Sequence, residues 1–209
     1  MQIVEKSRDV VMAITGASGG LYAQRLLQSL ADSQMHTHLV VSPLGRRLLA
    51  DELDIQALSV EALVGRSAPN VTLYPYRDVG AKIASGSFLT RGMVVCPCSS
   101  NTLGEMASGI GSNLILRAAA VTLKESRRLV VIHREMPLSA IELENMQRLQ
   151  RAGAIICPAA PGFYLLPRTI GDLVDFVVGK VLDLLWVPHG LNTRWQSAPE
   201  PGVEDREDD

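Results

Sequence analysis

Thr15-Gly16-Ala17-Ser18-Gly19-Gly20 sets the hydroxyl donor of Ser18 in a run of small residues, the composition of a loop whose backbone can lie against an anion. A helical pattern begins at once after it, so the open N–H groups of a helix N-terminus and its positive dipole end converge on the same point. The chemistry this suits is phosphate binding, most simply of a nucleotide. The motif is neither Gly-x-Gly-x-x-Gly nor a Walker loop, because Ala17 and Ser18 follow Gly16 and no Gly-Lys-Ser/Thr comes next. An ordinary tight turn between strand and helix is the competing reading of these residues.

Further along, Ser99-Ser100-Asn101-Thr102 places four hydroxyl and amide side chains in a row just before another helical pattern. One of them suffices as an N-cap; four suggest donors directed at a ligand. Arg134 and Glu135 follow the strand pattern Leu129–Ile132 directly. Ser85 sits in a small-residue loop, 83–88, where backbone is expected close to ligand. Arg117 and Lys124 are two helical turns apart and share a side of their helix, for which a solvated face is the plain alternative. Cys96-Pro97-Cys98 lacks the spacer of zinc or redox pairs and reads as reduced thiols at a strand end. The histidines at 36, 38, 133 and 189 have no ligand spacing, so no metal is expected.

The elements that must hold these residues alternate. Val10–Ile14 is a continuous apolar run, as in a strand buried on both faces of a parallel sheet. Similar runs recur at 37–41, 71–74, 92–97, 128–133 and 154–157. Helical patterns follow from Leu21 through Leu30, from Pro43 to Glu52, from Leu103, over 114–123, from Ser139 to Leu149 and from Ile170 to Leu185, with a smaller polar-apolar helix in 54–66. The chain is therefore expected to be α/β: a single-domain parallel-sheet sandwich, flavodoxin-like or Rossmann-like, with helices on both faces and right-handed crossovers. In such sheets ligands bind beyond the carboxyl ends of the strands, where Ser18, Ser42, Ser85, Ser99–Thr102, Arg134 with Glu135 and the loop Pro161-Gly162-Phe163-Tyr164 are expected to fall. The expected boundaries are an N-terminal extension at 1–9, the domain at 10–196 and an acidic tail at 197–209.

Composition narrows the function classes. The chain has 209 residues, 47% of them hydrophobic, enough for one large core. Aromatic residues make up only 4%, which disfavours a stacking platform for single-stranded nucleic acid. The formal charge of −2 conceals an asymmetry, because the last ten residues carry six acids and one arginine and leave a mildly positive body. That body fits a pocket for anionic small molecules better than a nucleic-acid surface. With no signal-like start and no apolar run of membrane length, a cytoplasmic protein without a membrane span is expected.

Taken together, Thr-Gly-Ala-Ser-Gly, Ser85-Gly86-Ser87-Phe88, Pro97-Cys98-Ser99, Arg117-Ala118-Ala119, Leu123-Lys124-Glu125, Arg134-Glu135-Met136-Pro137-Leu138-Ser139 and Pro161-Gly162-Phe163-Tyr164 resemble the UbiX-type flavin prenyltransferases, formerly described as aromatic-acid decarboxylases. The resemblance runs from about Val10 to Trp195. It implies a dodecamer of trimers that binds reduced FMN and joins a dimethylallyl group from dimethylallyl monophosphate to N5 and C6 of the flavin, without a metal. The prenylated FMN would serve a partner decarboxylase of the UbiD type.

Carried over position by position, Gly16, Ala17, Ser18 and Arg134 would meet the flavin, with Ser42, Ser99, Ser100, Asn101 and Thr102 on its phosphate, ribityl chain or ring. Ser85, Lys124 and Glu135 would line the prenyl-phosphate pocket, completed by Arg117, Tyr164 and Lys180, some of them from a neighbouring subunit. Ser18, Glu52, Lys124 and Glu135 would take the catalytic roles, Glu52 managing protons at the flavin. Three departures stand out: His133 where a proline often precedes Arg-Glu, Pro43 where a lysine commonly follows the serine, and Lys180 where some members have arginine. Three other functions are weighed: a non-catalytic FMN carrier for a decarboxylase, which would not need the cation cluster; a phosphopantothenoylcysteine-type flavin decarboxylase, whose Pro-x-Met-Asn segment is missing here; and an NAD-dependent dehydrogenase, from which the loop differs and for which Ser42 stands where an acid would end the second strand.

Overall fold

Alternation of buried side chains explains the architecture. In a computed structural model, which describes residues 7–191, 193 and 194, the first strand β1 (Asp9–Ile14) sends Val10, Met12 and Ile14 into one apolar layer and Val11 and Ala13 into another. Both faces are covered, which is why the run is apolar without a polar alternation. The remaining strands are β2 (His36–Val41), β3 (Val71–Tyr74), β4 (Gly92–Cys98), β5 (Arg128–His133) and β6 (Ile155–Ile156). They form one six-stranded sheet in the order β3-β2-β1-β4-β5-β6, with all pairings parallel.

The helices are α1 (Gly20–Asp32), α2 (Pro43–Leu53), α3 (Val60–Val64), α4 (Ser100–Ala107), α5 (Leu114–Lys124), α6 (Ala140–Arg151) and α7 (Ile170–Leu184), with a short 3-10 turn at Lys82–Ala84. The layer beneath α1, α3 and α7 holds Leu26, Leu27, Leu30, Leu63, Val177 and Val181. The opposite layer, beneath α4, α5 and α6, holds Leu103, Leu114, Ile115, Ala118 and Leu149. The expected sandwich with helices on both faces is the observed one.

Local differences from the sequence reading have physical causes. β1 already begins at Asp9, whose N–H is received by the Ser7 hydroxyl at 3.1 Å. The last strand is only two residues long, because it lies at the sheet edge and leads at Cys157 into Pro158. α3 is a single short helix inside the segment 54–66. Residues 1–6 of the extension and the acidic tail lie outside the described residues. No helix among those described is long and apolar enough to cross a membrane.

Candidate active site

Strand order reverses between β1 and β4, and the loops at their carboxyl ends are fastened by one buried threonine. The Thr15 hydroxyl donates to the Pro97 carbonyl and accepts from the Ser99 N–H, both at 2.8 Å. Thr15 itself is 1% exposed. The sequence reading did not single it out, since a buried hydroxyl at a strand end carries no pattern.

Two helix N-termini open beside this fastening. Ser42 caps α2 by accepting from the Gly45 N–H at 2.9 Å, and Ser99 caps α4 by accepting from the Thr102 N–H at 3.3 Å while donating to Thr102 Oγ1 at 3.1 Å. Between them lies a cavity of about 260 Å³ lined by Gly16, Ser42, Asn101, Thr102, Tyr76 and Glu105, among others. The run Ser99–Thr102 is thus divided: Ser99 is a cap, and Asn101 and Thr102 share the cavity wall. Ser100 turns elsewhere, donating to Glu142 Oε1 at 2.6 Å. Tyr76 and Glu105 enter the wall without any local signal, because only the fold brings the segment after β3 beside α4.

At the start of α1, on the same edge of the sheet, the structure corrects one expectation. The N-terminal amides of α1 do not await a phosphate; the carboxylate of Glu52 takes them, accepting from Gly20 N at 2.7 Å and Gly19 N at 3.1 Å. Gly19 has φ +135°, a conformation open to glycine and costly for other residues, and it lets both amides point at one carboxylate. Burial alone would raise the Glu52 pKa. The Ser18 hydroxyl, the two amides and the Arg134 charge outweigh it and hold the group below its ordinary value. Arg134 lies beside this cluster, its Nε donating to the Ser18 carbonyl at 3.0 Å, with its guanidinium 4.0 Å from Glu135. Gly16, Ala17, Ser18, Glu52, Arg134 and Glu135 therefore gather at the carboxyl edge.

The remaining site residues lie elsewhere. Lys124 ends α5 at the amino edge of the sheet, paired with Glu125 at 2.6 Å. The loop after the 3-10 turn lies against it, so Ser85 sits at the amino edge and not at the carboxyl edge expected for it, because this loop leads into the start of β4. Ser85 and Ser87 share a hydrogen bond of 2.9 Å, and Arg127 donates to the carbonyls of Phe88 and Gly86. A side chain at Gly86 would meet the Glu125 carboxylate and lie 3.0 Å from Lys124 Nζ, so the Lys124–Glu125 pair would have to shift to make room. Arg117 is exposed two turns earlier on α5. Tyr164 packs edge-on against Phe176 of α7 at 5.5 Å, and Lys180 follows Phe176 by one turn. Since α5 and α7 cover opposite faces of the sheet, one chain does not bring these cations together. Among the described residues, no group of three His, Cys, Asp or Glu side chains could hold a metal.

Residues 3–182 match the Flavoprotein family. The flavin prenyltransferase UbiX of Halalkalibacterium halodurans is 46% identical over 188 residues, covering 88% of this chain and 91% of that protein. The chain belongs to the UbiX flavin prenyltransferase family. Two solved UbiX-type structures carry the likeness into three dimensions. One, of AnUbiX (PadA1) in complex with FMN and dimethylallyl pyrophosphate, superposes with a TM-score of 0.84 at 40% identity, covering 92% of this chain and all of that one. Another, of a dodecameric FMN-dependent UbiX-like decarboxylase from Escherichia coli O157:H7, gives 0.82 at 41% identity, covering 90% and 99%. The motifs that carried the resemblance to the UbiX family lie on both edges of the sheet.

Proposed function

We propose that this chain joins a dimethylallyl group from dimethylallyl monophosphate to N5 and C6 of reduced FMN, and that the prenylated flavin passes to a UbiD-type decarboxylase. The observation that carries the reading is the cavity between the capped N-termini of α2 and α4, on the same edge of the sheet as Ser18, Glu52 and Arg134. Its donors suit a flavin mononucleotide: hydroxyls and amides at two positive helix ends for the phosphate and ribityl chain, and a small-residue loop for a flat ring. Reduced FMN, when bound, supplies the electron-rich N5 and C6 positions.

In this reading Ser42, Ser99, Asn101 and Thr102 hold the phosphate end, and Gly16, Ala17, Ser18 and Arg134 lie against the flavin. Glu52, kept ionised by its hydroxyl and amide donors, is the group that accepts a proton at the flavin edge and passes it on. Ser85, Arg117, Lys124, Tyr164 and Lys180 stabilise the charge that grows on the departing phosphate, while Glu135 hands on a proton. The separation of these residues to two edges and two faces supports a pocket closed by neighbouring subunits, hence a homo-oligomer, as in the dodecameric relative. Exposed Met136 (87%), Leu166 (81%), Ile141 (71%) and Phe163 (70%) supply apolar area for such contacts. A cytoplasmic setting belongs to the same reading and accords with three unpaired cysteines.

The test is anaerobic incubation of the purified protein with reduced FMN and dimethylallyl monophosphate, followed by the mass of the flavin. A gain of one C5H8 unit is expected. Bound but unmodified FMN, with the diphosphate donor also tried, would replace this reading by that of a flavin carrier.

A further inference from the structure

His133 ends β5 only 2% exposed, one residue before the Arg134-Glu135 pair, and its Nε2 lies 3.3 Å from the Ser100 hydroxyl. That hydroxyl is within reach of three groups at once: Glu142 Oε1 at 2.6 Å, His133 Nε2 at 3.3 Å and Glu135 Oε2 at 3.5 Å. A serine has one proton to donate and two lone pairs to accept with. In the observed arrangement the proton goes to Glu142, and the Glu135 distance is longer than a well-formed hydrogen bond. Glu142 is itself fixed, because its other oxygen accepts from the Ser139 N–H at 2.6 Å in the capping box of α6. The hydroxyl is therefore a rotor held between an anchored carboxylate, a buried imidazole and the exposed Glu135.

We propose that Ser100 and His133 form a relay that carries the proton of Glu135 into the protein, with His133 as the terminal acceptor. This rests on the reading of Glu135 as a proton-handling group. The Glu135 O–H bond breaks as its proton passes to Ser100 Oγ. The Ser100 hydroxyl turns from Glu142 to His133 Nε2, which is free to accept in the tautomer that carries its proton on Nδ1, and the Ser100 O–H bond breaks as its own proton passes there. Glu135 is left ionised and His133 becomes an imidazolium.

Glu142 cannot serve as the acceptor, since its hydrogen bonds from Ser100 and Ser139 hold its pKa at about 2. The imidazole, which burial keeps neutral to lower pH than usual, is the uncharged base of the set. The charged groups around it are Glu142 on α6 and Glu135 and Arg134 on the turn after β5. β4 brings Cys98 alongside in register, and the segment after β6 contributes the Ala159 N–H to the His133 carbonyl. Ser100 then has a reason to be a hydroxyl residue although it faces away from the flavin cavity.

The experiment combines a rate profile with a titration that needs no turnover. In the wild-type protein, turnover should fall on the acid side as His133 takes a proton from solvent. His133→Gln, which hydrogen-bonds but does not titrate, should lose that limb and run about tenfold slower at neutral pH with KM for the prenyl phosphate unchanged. Ser100→Ala, which cuts the relay without touching the imidazole, should give the same loss of rate. Wild-type rates and profile shape in both variants would overturn the relay. Independently, the NMR titration of the His133 ring should move to lower pH in Glu135→Gln, because a neighbouring negative charge is removed. An unmoved midpoint would overturn it as well. An inactive wild-type protein in which that shift is present would retire the prenyltransferase reading and leave the His133–Glu135 contact standing.

Discussion

The carboxyl and amino edges of the sheet carry site residues of the same kinds, hydroxyls and opposite charges, yet they are built differently. At the carboxyl edge Thr15 fastens two loops, two helix N-termini converge, and Glu52 and Arg134 meet over Ser18. At the amino edge Lys124 is spent on Glu125, and Ser85 is hydrogen-bonded to Ser87. The first is a finished cavity within one chain; the second is a surface whose charges neutralise one another. Parallel strands explain the difference, because all six point their carboxyl ends, and so their following helix N-termini, to one side. In the proposed function this means that one chain holds the flavin and neighbouring chains bring the phosphate-binding cations to it.

The sharpest way to break that division is Lys124→Ala. Turnover should fall roughly 100-fold or more while flavin affinity stays as it was, the size expected when a donor to growing charge is lost. Measuring FMN affinity alongside prenylated-flavin formation checks it; a matching loss of FMN binding would place the two edges in one function.

Thr15→Val tests the other edge. It leaves the Ser99 N–H and the Pro97 carbonyl without the hydroxyl, at a cost of about 1–3 kcal/mol in denaturant unfolding. FMN affinity should drop about tenfold, because the wall formed by α4 is released.

Glu52→Gln should be milder. The carboxamide oxygen still accepts from Gly19 and Gly20, so loss of the charge at the start of α1 costs no more than about 1 kcal/mol. Turnover should fall several-fold with FMN bound, read from the same mass assay; an unchanged rate removes Glu52 from proton handling.

The smallest effect is on stability with pH and involves both edges. His38, near the amino edge, and His133, at the carboxyl edge, are each held neutral by burial below the ordinary value of 6.5. The unfolded chain binds protons there that the folded one refuses, so stability is full above pH 6.5 and falls as pH drops below it. Thermal melts at pH 7.5 and 5.5 should differ by a few degrees, at roughly 2–4 °C per kcal/mol for a domain of this size. His38→Gln should remove part of the difference, leaving the share that belongs to His133.

Much of the fold was legible because apolar runs such as Val10–Ile14 and Leu129–Ile132 are long enough to be buried on both faces, and Ser42, Ser99, Ser139 and Thr169 all cap helices as their types suggest. The edge strand β6 was overextended, since apolar residues at 154–157 say nothing about where pairing stops. The composition of the loop 16–20 points to a phosphate at the start of α1, but the amides of Gly19 and Gly20 go to the Glu52 carboxylate, a partner 32 residues beyond Gly20 that no local pattern announces.

By itself the sequence determined the strand-helix alternation, the single sheet, the family and the residue types available for phosphate and proton chemistry. These are local or periodic properties, written in neighbouring positions. Tertiary structure alone decided that Glu52 occupies the α1 amides, that Thr15 joins two loops 82 residues apart and that Ser100 faces His133 instead of the cavity between α2 and α4. It also decided that Lys124 and Lys180 lie on helices covering opposite faces of the sheet. A hydroxyl or a charge has several partners it could take, and only the positions of distant strands select among them.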